Sequence, residues 1–141
     1  MNYTIYKNIP SNVTIIDAPN PTFIFKAIKN EVELQNIRDC HIKDGVAMTK
    51  FMYWLKTNIG KMKITEISAA DKLEELRRND KECFDLSFST IAGYKEHAAM
   101  MHYSATEESD YELKQEGMLL VDSGGQYYTG TTDITRTYIL G

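Results

Sequence analysis

From residue 31 onward, apolar positions recur at helical intervals. Val32, Ile37, Met48, Met52 and Leu55 form a candidate stripe over about 31–57, the spacing expected for one face of a long helix. Asn30 is suited to cap this helix, Glu31 and Glu33 suit the positive end of its dipole, and Asn58 and Gly60 supply a stop. Gly45 interrupts the stripe without ending it. Thr65 is placed to cap a second helix. Glu66 lies in its first turn, Ile67, Ala70, Leu73 and Leu76 follow at helical spacing, and Arg77, Arg78 and Asn79 close it. The charged run DKLEELRRNDKE reads as a solvated face with weak pairs four residues apart.

Beyond Phe84 the texture changes to that of strands. LSFSTIAG, AAMMHYSA, GMLLVDSGGQYY and TTDITRTYIL are separated by turn or loop residues. Two helices followed by four strand candidates predict an α+β domain with both helices packed on a mainly antiparallel sheet. Residues 1–24 differ from the rest. Turn-forming pieces around Pro10 and Pro19–Pro21 flank a short β-branched strand over 13–16, so this stretch reads as a linker or the tail of a preceding domain. The chain ends at Gly141 directly after a strong strand candidate, which reads as a cut.

Composition narrows the function classes. With 141 residues, 43% apolar and 26% charged, the chain matches a soluble globular domain. A formal charge of -4 without a basic patch argues against nucleic acid. No stretch resembles a signal peptide or approaches the roughly 18 apolar residues of a membrane span, so a cytoplasmic location is the default. Cys40 and Cys83 stand in no CxxC arrangement and read as ordinary thiols.

Asp122 and Asp133 bracket a glycine- and threonine-rich stretch. Their separation permits direct opposition across an antiparallel hairpin, with Cβ atoms about 4.5–5.5 Å apart. Two carboxylates that close repel each other, and they relax by sharing a proton or holding a cation. Divalent metals favour such oxygen clusters, and Gly124 and Gly125 leave room for close approach. The alternative is a hairpin whose aspartates merely cap turns. Spacing alone leaves both open.

Residues 121–137, VDSGGQYYTGTTDITRT, closely resemble the signature of the Xaa-Pro aminopeptidases (aminopeptidase P) of the pita-bread metallopeptidase family. SFSTIAGYKEHAAMMHY, residues 87–103, is similar to a second family segment that ends in His-Tyr. The resemblance implies that residues 25–141 are the N-terminal half of a pita-bread catalytic domain. It also implies that Asp122 and Asp133 are ligands of a dinuclear site holding two Mn2+ ions, and that His102 is the substrate-side histidine that donates to the oxygen gaining charge. Thr131 and Thr132 are then candidate outer-shell donors to the carboxylates, while Arg136, Tyr127 and Tyr128 are structural.

The activity implied is hydrolysis of the bond between an N-terminal residue and a following proline. A peptide with proline second is the substrate, and the parent enzyme is expected to be a homodimer. Ser89 replaces a family proline, and Tyr94–His97 replaces a loop that often reads Gly-Pro-x-Asn. His97 at that asparagine-like position reads as an exposed loop histidine, and His41 as a partly exposed helix histidine. The family site also needs a histidine and two glutamates from later in the chain, so this stretch alone is expected to be inactive, to bind metal weakly and to self-associate. A prolidase-type dipeptidase of the same fold and a non-catalytic binding or scaffold module are the alternatives.

Overall fold

The computed structural model describes residues 2–141. They fall into two units, one ending at Asn30 and one spanning Glu31–Gly141. The first unit holds helices α1 (Tyr3–Lys7) and α2 (Pro21–Ala27), capped by the side chains of Asn2 and Asn20, with Pro21 at the start of α2. Neither helix buries a residue. The strand expected over 13–16 does not form, and Val13, Ile15 and Ile16 are exposed. β-branched residues favour a strand only where a neighbouring strand completes the ladder, and the first unit has none among its described residues.

In the second unit, α3 (Glu31–Asn58) and α4 (Glu66–Arg78) pack against two three-stranded antiparallel sheets. One sheet runs β1 (Cys83–Leu86), β4 (Gly125–Tyr127), β5 (Gly130–Thr131), and the other β2 (Ile91–Tyr94), β3 (Met118–Ser123), β6 (Ile134–Ile139). This is the expected α+β architecture, with its β layer split in two. The core joins Met48, Phe51 and Leu55 of α3 and Ala69 and Leu73 of α4 to Leu119, Val121 and Tyr138 of the second sheet. No helix among the described residues is long and apolar enough to cross a membrane.

α3 ends where Gly60 takes a φ of +77°, open to glycine at little cost. Its buried positions are Cys40, Asp44, Ala47, Met48, Phe51 and Leu55, at steps of three and four apart from the adjacent pair Ala47 and Met48. Val32 and Met52 belong to the expected stripe but are 71% and 43% exposed. Val32 lies in the first turn, eight residues before the first buried position, and Met52 sits at the edge of the face, lining a groove with Ile134 and Tyr138. α4 starts with a capping box: Ser68 N–H donates to Thr65 Oγ1 at 3.1 Å, and Thr65 N–H donates to Ser68 Oγ at 2.8 Å.

Arg77 departs from the solvated face expected of its charged run. It falls four residues after Leu73 on the core side of α4 and is fully buried. Its Nε and Nη2 donate to Asp44 Oδ1 and Oδ2 at 2.7 and 3.1 Å, and Tyr127 O–H donates to Asp44 Oδ1 at 2.9 Å. One carboxylate thus ties α3, α4 and β4 together. The neighbouring charges do lie outside, as Arg78 with Glu74 and Lys72 with Glu75.

AAMMHYSA is not a strand. After β2 the chain enters a 3₁₀ turn, Lys95–Ala99, and then an irregular turn, with Lys95 and His102 at φ of 52° and 55°. Left-handed backbone at both positions breaks the extended period. Cys40, Cys83 and Tyr127 form a small buried cluster. Burial pushes the Cys40 thiol up to about 11 and raises that of Cys83 as well.

Two outcomes follow. Asp44→Ala leaves the Arg77 guanidinium buried and unpaired, so urea denaturation should show a loss of about 3–5 kcal/mol; a loss below about 1 kcal/mol would show that the pair is not a fastener. Because a raised thiol pKa keeps Cys40 and Cys83 protonated, both should resist a thiol reagent at pH 8 in the folded chain and react once urea unfolds it. Rapid labelling of the native chain would contradict their burial.

Candidate functional site

β3 alternates cleanly. Leu119, Val121 and Ser123 are buried, whereas Leu120 and Asp122 are half-buried on the opposite face, as the two-residue period of a strand requires. Asp122 therefore points away from the apolar core. Its neighbours across the sheet are Ile91 of β2 and Thr135 of β6.

Direct opposition of Asp122 and Asp133 does not occur. The register sets Asp122 against Thr135 and Ser123 against Ile134, which leaves Asp133 one residue before β6, beyond the end of the ladder. The offset arises because β3 and β6 are not joined by a short turn. The intervening chain leaves the sheet at Gly124, builds the β4–β5 hairpin of the other sheet, and returns. At this corner Thr132 N–H donates to Gly125 carbonyl at 2.9 Å, Gly125 N–H donates to Thr132 Oγ1 at 2.9 Å, and Ser87 Oγ donates to Thr132 carbonyl at 2.9 Å. A Cβ at Gly124 would lie 2.0 Å from the Thr132 carbonyl oxygen, so no other residue fits there without movement of the backbone.

The outer-shell donors also differ from expectation. Thr132 is buried and its hydroxyl serves the Gly125 backbone, while Thr131 Oγ1 donates to Gln126 Oε1 at 2.6 Å. Neither reaches a carboxylate. Thr135 does, donating from Oγ1 to Asp122 Oδ1 at 2.8 Å. Thr135 shares the strand phase of Asp133, and that alternation was the signal in the sequence that could have found it. Arg136 lies opposite Val121, off the aspartate face, with Nη1 on the Thr135 carbonyl at 2.8 Å. Tyr127 is buried against Asp44, and Tyr128 is exposed with its ring 5.2 Å from that of Phe84.

His102 lies in the exposed turn after the 3₁₀ segment. The loop that carries it doubles back along β2. A Cβ at Gly93 would come within 2.9 Å of Ala98 Cα, and Ser104 and Ala105 line one cleft with Thr90 and Ala92. It thus returns toward Ile91, the β2 partner of Asp122. His41 is exposed and its Nδ1 lies 2.8 Å from the Ile37 carbonyl. His97 is the main surprise. It is buried, with Nδ1 3.0 and 3.1 Å from the two Glu66 carboxylate oxygens and its ring stacked 3.9 Å from that of Tyr111. A buried carboxylate waiting at the start of α4 draws the histidine inward, which local sequence does not reveal.

The donor set suits a divalent cation. Beyond the Thr135 contact, the Asp122 and Asp133 carboxylates take no donor among the described residues, and Asp133 is exposed. Hard carboxylate oxygens that take few donors from the chain are what Mg2+, Mn2+ or Ca2+ bind. The described residues hold no group of three or more His, Cys, Asp or Glu arranged for a metal. Asp122 and Asp133 therefore fit as two ligands of a larger set.

Residues 35–141 match the model of metallopeptidase family M24, and the chain belongs to that family. It is 42% identical over 135 residues to Xaa-Pro aminopeptidase 2 of Mus musculus, covering 96% of this chain and 20% of the mouse protein. The Homo sapiens protein of the same name is 38% identical over 135 residues, with the same two coverages, 96% and 20%. An X-prolyl aminopeptidase from Caenorhabditis elegans, described as a cytosolic enzyme with a di-nuclear active site, matches with a TM-score of 0.82 at 36% identity. That match covers 86% of this chain and 20% of the nematode chain. X-Pro aminopeptidase from Thermotoga maritima shares the fold, with a TM-score of 0.71 at 21% identity. The chain spans about a fifth of the length of the relatives it matches first. The expected family and the α+β, half-pita-bread fold both hold.

Because the corner at Gly124 sets where β6 returns, Gly124→Ala should lower stability by about 1–3 kcal/mol through overpacking and weaken the Thr135–Asp122 pairing. Urea denaturation together with amide hydrogen exchange at Thr135 measures both. Unchanged protection and stability would mean that the backbone relaxes freely at the corner.

Proposed function

We propose that this chain is part of the catalytic domain of a metal-dependent Xaa-Pro aminopeptidase, which hydrolyses the bond between an N-terminal residue and a following proline. The observation that supports this reading is an identity of 36–42% to relatives named for that activity, in a chain whose Asp122 on β3 and Asp133 just before β6 are not saturated by donors of their own. Residues 25–141 are then the N-terminal half of the pita-bread domain, and residues 1–24 a linker or the tail of a preceding domain.

Asp122 and Asp133 would hold the ions, two Mn2+ in the intact enzyme, together with ligands from outside these residues. When bound, such ions supply a water of lowered pKa and a Lewis acid beside the scissile carbonyl. Thr135 fixes the Asp122 carboxylate by its hydroxyl, the role an outer-shell partner plays for a metal ligand. His102 donates a hydrogen bond to the carbonyl oxygen as it gains charge. The substrate is a peptide with proline in the second position, and the parent enzyme is a cytoplasmic homodimer. The description of the nematode neighbour as cytosolic and di-nuclear is in keeping with the location and the metal count.

In the intact enzyme, Asp122→Asn should reduce Mn2+-dependent release of the first residue from an X-Pro-X peptide by more than about 100-fold. The 141-residue chain alone should release nothing. Full activity in Asp122→Asn would remove the aspartates from the mechanism, and turnover by the short chain would show that two carboxylates suffice.

A further inference from the structure

Glu66, the first residue of α4, is fully buried. Its Oε1 accepts from Tyr94 N–H at 2.7 Å and faces His97 Nδ1 at 3.0 Å. Its Oε2 accepts from Tyr103 O–H at 2.8 Å and Tyr111 N–H at 3.1 Å. With His97 Nδ1 protonated, all four partners are donors, so the carboxylate is an acceptor throughout. Burying a bare carboxylate is costly, and four donors together with the positive end of α4 offset that cost.

The four partners lie along one stretch of chain, from the end of β2 to the approach to β3. Tyr94 ends β2, His97 sits in the 3₁₀ turn, and Tyr103 and Tyr111 follow on the way to β3. The same helix end binds the stretch again, through Glu66 N–H to Tyr111 carbonyl at 3.1 Å and Ile67 N–H to Asp110 Oδ1 at 3.0 Å. His102 lies between His97 and Tyr103, in the exposed part of the loop beside Met101, and holds a φ of 55°. No strand ladder holds this turn in place. Its two ends, His97 and Tyr103, meet on the same carboxylate.

We propose that Glu66 is the positioning residue for His102, closing residues 97–103 into a loop whose exposed turn presents that imidazole. The geometry stands on its own, while its catalytic consequence rests on the peptidase reading above.

The test uses Tyr103→Phe, which removes one of the four bonds and keeps the ring, and Glu66→Gln, which keeps the shape and turns an acceptor into a donor. The chain has three histidines, so imidazole resonances in NMR spectra of the 141-residue chain are readily assigned. In a folded Tyr103→Phe chain the His102 signals should shift or split while those of His41 stay in place. His102 signals identical to the unmodified chain in both folded variants would overturn the proposal. If Glu66→Gln fails to fold, Tyr103→Phe decides alone.

In the intact enzyme, Tyr103→Phe should lower kcat on an X-Pro-X peptide on the order of 10- to 100-fold with KM nearly unchanged. It should have no further effect once His102→Ala is present. A loss in His102→Ala with full activity in Tyr103→Phe sinks the positioning role. Full activity in His102→Ala or Asp122→Asn instead sinks the peptidase reading, and the NMR result still judges Glu66.

Discussion

The close approach of two backbones at Gly124 and Thr132 is the constraint on which this molecule turns. One continuous stretch, β3 through β6, contributes strands to both sheets, and it can do so only because it folds sharply where no side chain intervenes. Hydrogen bonds from Ser87, Gly125 and Thr132 occupy the backbone polar groups exposed by that fold, as buried main chain requires. The detour through the second sheet fixes where β6 re-enters the first. That re-entry places Thr135, rather than Asp133, opposite Asp122.

Carboxylates here divide into two kinds by how many donors they meet. Asp44 takes two guanidinium donors and a phenol, and Glu66 meets two backbone amides, a phenol and an imidazole. Both are buried, and both draw their partners from elements far apart in the chain. Asp122 has one hydroxyl donor, and Asp133 has none among the described residues. Burying charge is tolerable only when its lone pairs are filled, so the saturated pair acts as fasteners. Asp122 and Asp133 are not enclosed in this way, and Asp133 is exposed, so solvent can reach the oxygens that the chain leaves open.

That division explains what the sequence made legible. Helical periodicity reports a local geometry, and α3 and α4 end within a residue or two of where capping and dipole signals place them. The aspartate motif reports family descent, and the M24 match agrees with it. Arg77 and His97 are different. Each was expected at the surface because charge and polarity in a local window point outward, yet each is buried by a partner more than thirty residues away. The missing strand at 98–105 has the same origin, since the pull of Glu66 on His97 takes the chain off the extended path. A long-range donor or acceptor leaves no periodic trace, and parity arithmetic for a hairpin cannot foresee a corner.

β2 links the strand that carries Asp122 to the loop anchored on Glu66. Only four residues long, it pairs Ile91 with Asp122 at one end, while at the other the amide of Tyr94 reaches Glu66. The aspartate face is held by the β3–β6 ladder and its corner, and the His102 turn is held by Glu66. Neither fastener touches the other. Their relative placement is therefore transmitted through the β2–β3 pairing, where Gly93 also lets the 3₁₀ turn lie close. A strand this short deforms little, because its side chains Ala92 and Tyr94 are locked in the core beside Leu119 and Val121. Core packing and loop anchoring thus meet at this strand: what keeps Ala92 and Tyr94 buried also holds Ile91 against Asp122 and the Tyr94 amide against Glu66.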